Sequence, residues 1–227
     1  MVLDRRILEN EEESSRVYLD DVNRFGSIEE AIRPFNLITW NVGLEHIESI
    51  LEVACGPGFL TFILAQQLPA AQVLGTDISP ALIEYAQGKH GSLPNLTYAV
   101  RDGYALAEND ATYDLVICNA SLHHFARPAA LIREMLRVTK PGGKVYIFDL
   151  TRDMPPEFFE QLRQWERAGN LTHSLLSASI QASLNRAEYR ALLSELDLDD
   201  YDLFFFTNPG PFNIPLPVVG LTIAKDE

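Results

Sequence analysis

Ile50-Leu51-Glu52-Val53-Ala54-Cys55-Gly56-Pro57-Gly58 is the stretch from which the rest of the chain is read. Its apolar run predicts a buried parallel strand over 49–54, ending in a Gly-x-Gly turn. Phe59 to Leu68 follows at once with helical character and stops before Pro69. Strand, glycine turn and helix together make a cradle for a nucleotide-type cofactor. Glycine lets a ligand approach the backbone where a Cβ would clash, and the free N–H groups opening the next helix favour a negative group.

Working outward, Ala71 to Thr76 predicts a second strand with Asp77 at its carboxyl end. Ser79 caps the next helix and Pro80 takes its first position, with the helix running to about Gly88. Asn95 to Val100 is a third strand followed by Asp102-Gly103. Tyr113 to Asn119 is a fourth, followed by a loop and a helix over 128–138. Pro141-Gly142-Gly143 turns the chain into a fifth strand, Lys144 to Asp149. Strands alternating with helices over short connections predict a doubly wound parallel sheet. Ligands of such sheets lie beyond the carboxyl ends of the strands, where Gly56, Asp77, Asp102 and Asn119 fall.

The flanks depart from the alternation. Residues 1–48 read as an N-terminal helical arm that folds over the cradle. Ser27 and Glu30 form a capping box there, and Pro34 interrupts the short helix they open. Tyr18, Phe25 and Trp40 are the arm's candidates to line a pocket. After the fifth strand, helices over 155–168 and 171–184 form an insertion, at about 153–185, over the strand ends. A helix over 186–196, a strand over 201–207 and a last antiparallel strand over 218–224 complete the chain. The expected fold is therefore α/β: a Rossmann-like, mostly parallel seven-stranded sheet with an antiparallel last strand, filling residues 49–227, with the N-terminal helices and the insertion as a lid.

Composition narrows the function. The 227 residues support one sizeable core, and 47% apolar with 22% charged residues is the balance of a globular chain. A net charge of −14 argues against nucleic acid and against anionic membrane surfaces as partners. No apolar run reaches the length of a membrane span, and the first residues lack the apolar region of a signal peptide. Cys55 and Cys118 have no CxxC partner and read as reduced thiols of a cytoplasmic protein. No metal-ligand set is expected.

The glycine turn alone does not choose between cofactor classes. A dinucleotide site wants a third small residue where this chain has Thr61. Glu52, inside the first strand, would sit awkwardly beside a pyrophosphate but suits an ammonium group. Asp102-Gly103 offers a carboxylate to an adenine amino group. To these are added Tyr113 to Asn119, then Leu122-His123-His124-Phe125, then Lys140-Pro141-Gly142-Gly143.

With these blocks in order, the chain resembles the class I S-adenosylmethionine-dependent methyltransferases over roughly residues 48–150, most closely the branch acting on small molecules. The matching blocks are Leu51 to Gly58, Gly75 to Ser79, Asp102-Gly103, Asp114 to Phe125 and Arg137 to Asp149. The resemblance implies that Ala54, Gly56 and Gly58 lie against the methionine part and that Glu52 holds its ammonium. It implies that Asp77 takes the ribose hydroxyls, Ile78 covers an adenine face, Asp102 and Gly103 meet the adenine edge, and Asn119 faces the sulfonium end. The cofactor implied is S-adenosyl-L-methionine, with S-adenosyl-L-homocysteine as product.

The expected activity is in-line methyl transfer to a small-molecule acceptor, which needs alignment and water exclusion rather than a dedicated nucleophile. His123 and His124 are candidates for a general base; the alternative role is shaping the loop. Two other readings stand beside the leading one: a non-catalytic S-adenosylmethionine-binding partner or sensor, and a dinucleotide oxidoreductase.

Overall fold

The structure is a computed structural model and describes residues 15, 18–20, 22, 29–167, 176–209 and 215–226. Seven strands form one sheet: β1 (Ser49–Val53), β2 (Gln72–Asp77), β3 (Leu96–Val100), β4 (Tyr113–Asn119), β5 (Thr139–Leu150), β6 (Tyr201–Pro209) and β7 (Pro215–Ala224). Their order across the sheet is β3-β2-β1-β4-β5-β7-β6. The pairs among the first five strands are parallel. β7 runs antiparallel between β5 and β6, as the sequence predicts for the last strand.

The helices are α1 (Glu29–Val42), α2 (Phe59–Gln67), α3 (Pro80–His90), α4 (Pro128–Val138), α5 (Pro156–Arg167), α6 (Leu176–Ala182) and α7 (Arg186–Leu196), with a 3₁₀ turn at Leu122–His124. The pleat explains the layering. Successive strand residues point to opposite faces, so Ile50, Leu115 and Ile117 join one core with Ile38 and Leu64. Leu51, Val116 and Cys118 join the other with Ile132, Met135 and Leu193. Leu115 to Cys118 are all fully buried, which a central strand covered on both faces requires.

Local signals set several boundaries. The Ser79 hydroxyl caps α3 by accepting from Leu82 N, and Pro80 holds its first position. Asn185 and Glu188 form a reciprocal capping box on α7. Ser27 of the expected Ser27–Glu30 box lies outside the described residues, as do 171–175 of the second insertion helix and residues 1–14, 16–17, 21 and 23–28 of the N-terminal arm.

Two expectations are corrected. Pro34 does not break the helix: α1 runs through it from Glu29 to Val42. Its buried side is held against α2 and β5, and this packing offsets the missing backbone bond. The fifth strand begins at Thr139, five residues before Lys144, because Thr139 already pairs with Tyr113. The register then jumps to Leu115 opposite Lys144, and Pro141-Gly142-Gly143 bulges out of the strand with Gly142 at φ 73°.

Opposite the carboxyl ends, Asp114 fixes the register of β1 and β4. Its carboxylate accepts from the backbone N–H groups of Glu48 and Ser49 and from the Ser49 hydroxyl, and pairs with Lys140 at 2.8 Å.

Candidate active site

The cradle is assembled at the carboxyl ends of β1 and β2. The turn after β1 takes left-handed backbone at Ala54, Gly56 and Gly58, with φ of 57°, 55° and 79°. Cys55 N donates to Thr76 O at 2.8 Å, which carries the pairing of β1 and β2 into the turn. Gly56 N then donates to Asp77 Oδ2 and Ser79 N to Asp77 Oδ1, both at 2.9 Å. Asp77 thereby joins the two turns. Each of its oxygens bears one backbone bond and retains acceptor capacity. Burial raises the Asp77 pKa, opposed by the N–H groups of Ser79, Gly56 and Ile78.

Beneath the turn lies Glu52, only 2% exposed, with Thr61 of α2 donating its hydroxyl to Glu52 Oε2. Burial pushes the Glu52 carboxyl up to about 8; the Thr61 hydrogen bond opposes this and the nearby Asp77 charge adds to it. Thr61 thus has a specific role at the position where a dinucleotide site needs a small residue. Helix α2 starts from Gly58 with no side-chain cap, so its first N–H groups remain available to a ligand carboxylate.

The glycines divide their tasks. A Cβ at Gly58 would meet the Tyr98 ring at 2.7 Å, and one at Gly103 would meet Phe125 at 2.9 Å. Both therefore serve close packing, with Tyr98 OH donating to Gly58 O at 3.0 Å. A Cβ at Gly56 would meet only Tyr18, at 3.4 Å, so a residue of the N-terminal segment reaches the cradle. Phe25 lies outside the described residues, and Trp40 stands 88% exposed on α1.

Next to Asp77, Ile78 is 42% exposed, and Val100, at the end of the adjacent β3, is 44% exposed. Both are exposed apolar side chains at the carboxyl edge of the sheet, and Val100 is the strand partner of Asp77. Asp102 follows in a tight turn, with Tyr104 N donating to its Oδ1 at 2.9 Å. Asn119 ends β4, and its Oδ1 is buried without a hydrogen-bond partner. The Ser121 hydroxyl lies 3.2 Å from Ala54 O and 3.0 Å from Asn119 O, so this loop is tied to the cradle.

The two histidines differ. His123 is 5% exposed, its Nδ1 is 2.7 Å from Asp149 Oδ1, and its backbone N donates to Asp149 Oδ2. His123 Nε2 is buried without a partner. His124 has an exposed edge although protein crowds it. That crowding, with the His123 imidazole 4.2 Å away, lowers the His124 pKa against the pull of Asp149 and keeps the ring neutral. Cys55 is buried, and burial followed by the charges of Glu52 and Asp77 raises its thiol well above the ordinary range. It is a packing residue.

The structure therefore links Gly56 and Asp77 directly, sets Glu52 near enough to Asp77 to feel its charge, and ties Asn119 to the cradle through Ser121. Sequence reasoning missed Thr61 as the partner of Glu52, Val100, Ser121 and Asp149. Asp149 carries the same signal that marked Asp77, an acid closing an apolar strand. Among the described residues no group of three or more His, Cys, Asp or Glu side chains is placed to hold a metal, and no helix is long and apolar enough to cross a membrane.

A phosphate-free, cationic nucleoside fits this donor set. Among the described residues the cradle brings two buried carboxyl groups, Glu52 and Asp77, to the turn. Residues 50–143 match the family model described as a methyltransferase domain. The chain is 33% identical over 118 residues to malonyl-[acyl-carrier protein] O-methyltransferase of Hahella chejuensis, covering 52% of this chain and 41% of that one. It is 31% identical over 140 residues to trans-aconitate 2-methyltransferase of Methylobacterium radiotolerans, covering 62% and 50%. It thus spans at most about half the length of these relatives. The plantazolicin methyltransferase BpumL, solved with a triazolic desmethylPZN analog and SAH, shares the fold with a TM-score of 0.72 at 17% identity, over 97% of this chain and 94% of that one. Residues 50–143 are thus similar to a methyltransferase domain, on a fold shared with solved methyltransferases.

Proposed function

We propose that the protein transfers a methyl group from S-adenosylmethionine to a small-molecule acceptor. The observation that carries this reading is Asp77, a buried carboxylate whose oxygens accept from the Gly56 turn and from Ser79 and keep capacity for two ribose hydroxyls. Bound there, the cofactor would supply an electrophilic methyl group on a sulfonium. Ile78 and Val100 would cover the adenine, and Asp102 with Gly103 would meet its edge. Ala54, Gly56 and the first N–H groups of α2 would take the amino-acid end, with the Glu52 carboxyl beneath its ammonium, whose charge would favour the ionised form of Glu52. Asn119 would face the sulfonium end.

Tyr18, close to Gly56, supports the N-terminal segment as part of the cover. The packing of α6 on the Leu122–His124 turn supports the insertion as the rest of it. We assign the protein to the cytoplasm; two buried free cysteines suit a reducing compartment.

Calorimetry with S-adenosylmethionine tests the reading. Asp77→Ala is expected to weaken binding by more than about tenfold, the loss of one charge-assisted contact. Unchanged affinity contradicts the ribose role.

A further inference from the structure

The sheet has two outer strands, β3 and β6, and they finish it differently. An outer strand offers a row of backbone N–H and C=O groups as a template for another strand, and folds usually blunt it. In β3, Val73 N donates to Asn95 O and Arg101 N to Asp77 O, so the groups of Leu96, Tyr98 and Val100 point outward. They are taken locally. Leu96 N donates to Leu93 O, Gln87 Nε2 to Tyr98 O at 3.2 Å, and Arg101 Nη1 to Val100 O at 2.9 Å. The strand is also short, at five residues.

β6 has nine residues in unbroken register with β7. Just before it, Ala224 N donates to Asp200 O. The alternation of an antiparallel ladder then gives the groups of Asp202, Phe204 and Phe206 to β7 and turns those of Leu203, Phe205 and Thr207 outward. Among the described residues no side chain or loop bonds to these outward groups. The usual protections are missing: the strand has no lysine, no bulge, and no proline before its last residue, Pro209. Both of its faces are furnished. On one, the Tyr189 ring lies 6.0 Å and the Arg186 guanidinium 4.8 Å from the Phe205 ring. On the other, the Phe204 and Phe206 rings stack at 5.8 Å, and Phe206 lies 6.0 Å from Phe148 of β5. What stays open is the strand's outer side.

We propose that two copies of this chain join antiparallel along β6, making one continuous sheet. A strand-shaped partner needs an open side of its own, and β6 is the one the described residues supply. The closed side of β3 also prevents a head-to-tail chain of copies. The sequence of β6 matches itself when Phe205 stands opposite Phe205 of the second copy. Leu203 then exchanges both backbone bonds with Thr207 of the second copy. Phe204 comes opposite Phe206 of the second copy, which carries the aromatic row of Phe148, Phe206 and Phe204 across the joint. Asp202 is the one charged residue of the strand. It comes opposite position 208, an asparagine, so two chains of net charge −14 meet with no acid facing an acid. β7 opposes both β5 and β6, so β6 runs in the direction of β5 and β1. An antiparallel joint therefore turns the carboxyl edges of the two copies opposite ways. Each copy keeps its own cradle, and the joint does not depend on what the cradle binds.

Sedimentation equilibrium of the full chain over a concentration series tests this. A monomer–dimer equilibrium is expected. Thr207 is exposed and its N–H faces the joint, so Thr207→Pro removes a donor from each copy. It should raise the dimer dissociation constant about tenfold or more.

Amide hydrogen exchange of the unmodified chain gives a reading that needs no variant. The N–H groups of Leu203, Phe205 and Thr207 should exchange slowly in concentrated protein and fast on dilution, while those of Phe204 and Phe206 stay protected in both. A chain that is monomeric at every concentration, with the three amides always fast, overturns the proposal and leaves β6 to a strand of some other protein. A dimer that Thr207→Pro leaves unaltered, or one in which Phe205 N–H exchanges fast, also overturns it.

Discussion

Ala54 holds a left-handed backbone, φ 57°, at a position where its Cβ crowds the following carbonyl at a cost of roughly 1–2 kcal/mol. Ala54→Gly removes that cost and adds back part of it as unfolded-chain entropy. A net stabilisation of about 0.5–1 kcal/mol in urea unfolding is expected; destabilisation would mean that the methyl group packs productively. Glu52 makes a prediction with a sign. Its pKa is raised from 4.5 to about 8 in the folded protein, so between these values the folded state binds the extra proton. Stability is then fully present below pH 4.5 and is lost as pH rises through about 8. Asp77, also raised, acts in the same direction. Glu52→Gln should flatten the fall in unfolding free energy between pH 5 and 8.5; an unaltered slope would place the titration elsewhere. At this scale the sequence exposed the charged ends of strands, because an acid closing an apolar run stands out. It did not expose partners brought from other elements. Thr61 meets Glu52 only because α2 lies back across β1, and Asp149 meets His123 only because β5 lies beside β4.

Asn95, at the entry to β3, ties three elements. Its Nδ2 lies 3.0, 3.2 and 2.9 Å from the carbonyl oxygens of Ala65, Leu68 and Ala71. It thereby gives the Ala65 carbonyl a donor where Pro69 has no N–H to offer, and joins the end of α2 to the start of β2. Asn95→Ala removes the donor from a buried place and should cost about 1–3 kcal/mol, read as a lowered urea midpoint with an unchanged slope. A loss below about 0.5 kcal/mol would mean water replaces the amide. The alternation of strands and helices was legible because each connection is short and each strand carries its own apolar run. The bulge within β5 was not: Pro141-Gly142-Gly143 reads locally as a turn, and only pairing of Thr139 with Tyr113 shows that the strand has already begun. Pro34 misled for the same reason, since its local effect is overridden by the packing of α1.

Across the whole molecule the two edges of the parallel sheet have separate duties. The amino edge carries the lock of Asp114 with Ser49 and Lys140. Burial raises the Asp114 pKa, but the Lys140 and Ser49 hydrogen bonds outweigh this and hold it below the usual range. The carboxyl edge carries left-handed turns, buried carboxyl groups near one another, and polar atoms without partners. A fold retains such costs where a ligand offsets them, and the cradle after β1 is the centre of that edge. Its carboxyl groups ask for a cation and offer nothing to a phosphate. Titration calorimetry with S-adenosylhomocysteine against NADH tests this most directly. Saturable one-to-one binding of S-adenosylhomocysteine and none of NADH is expected; saturable NADH binding without S-adenosylhomocysteine binding would contradict this assignment of the cradle.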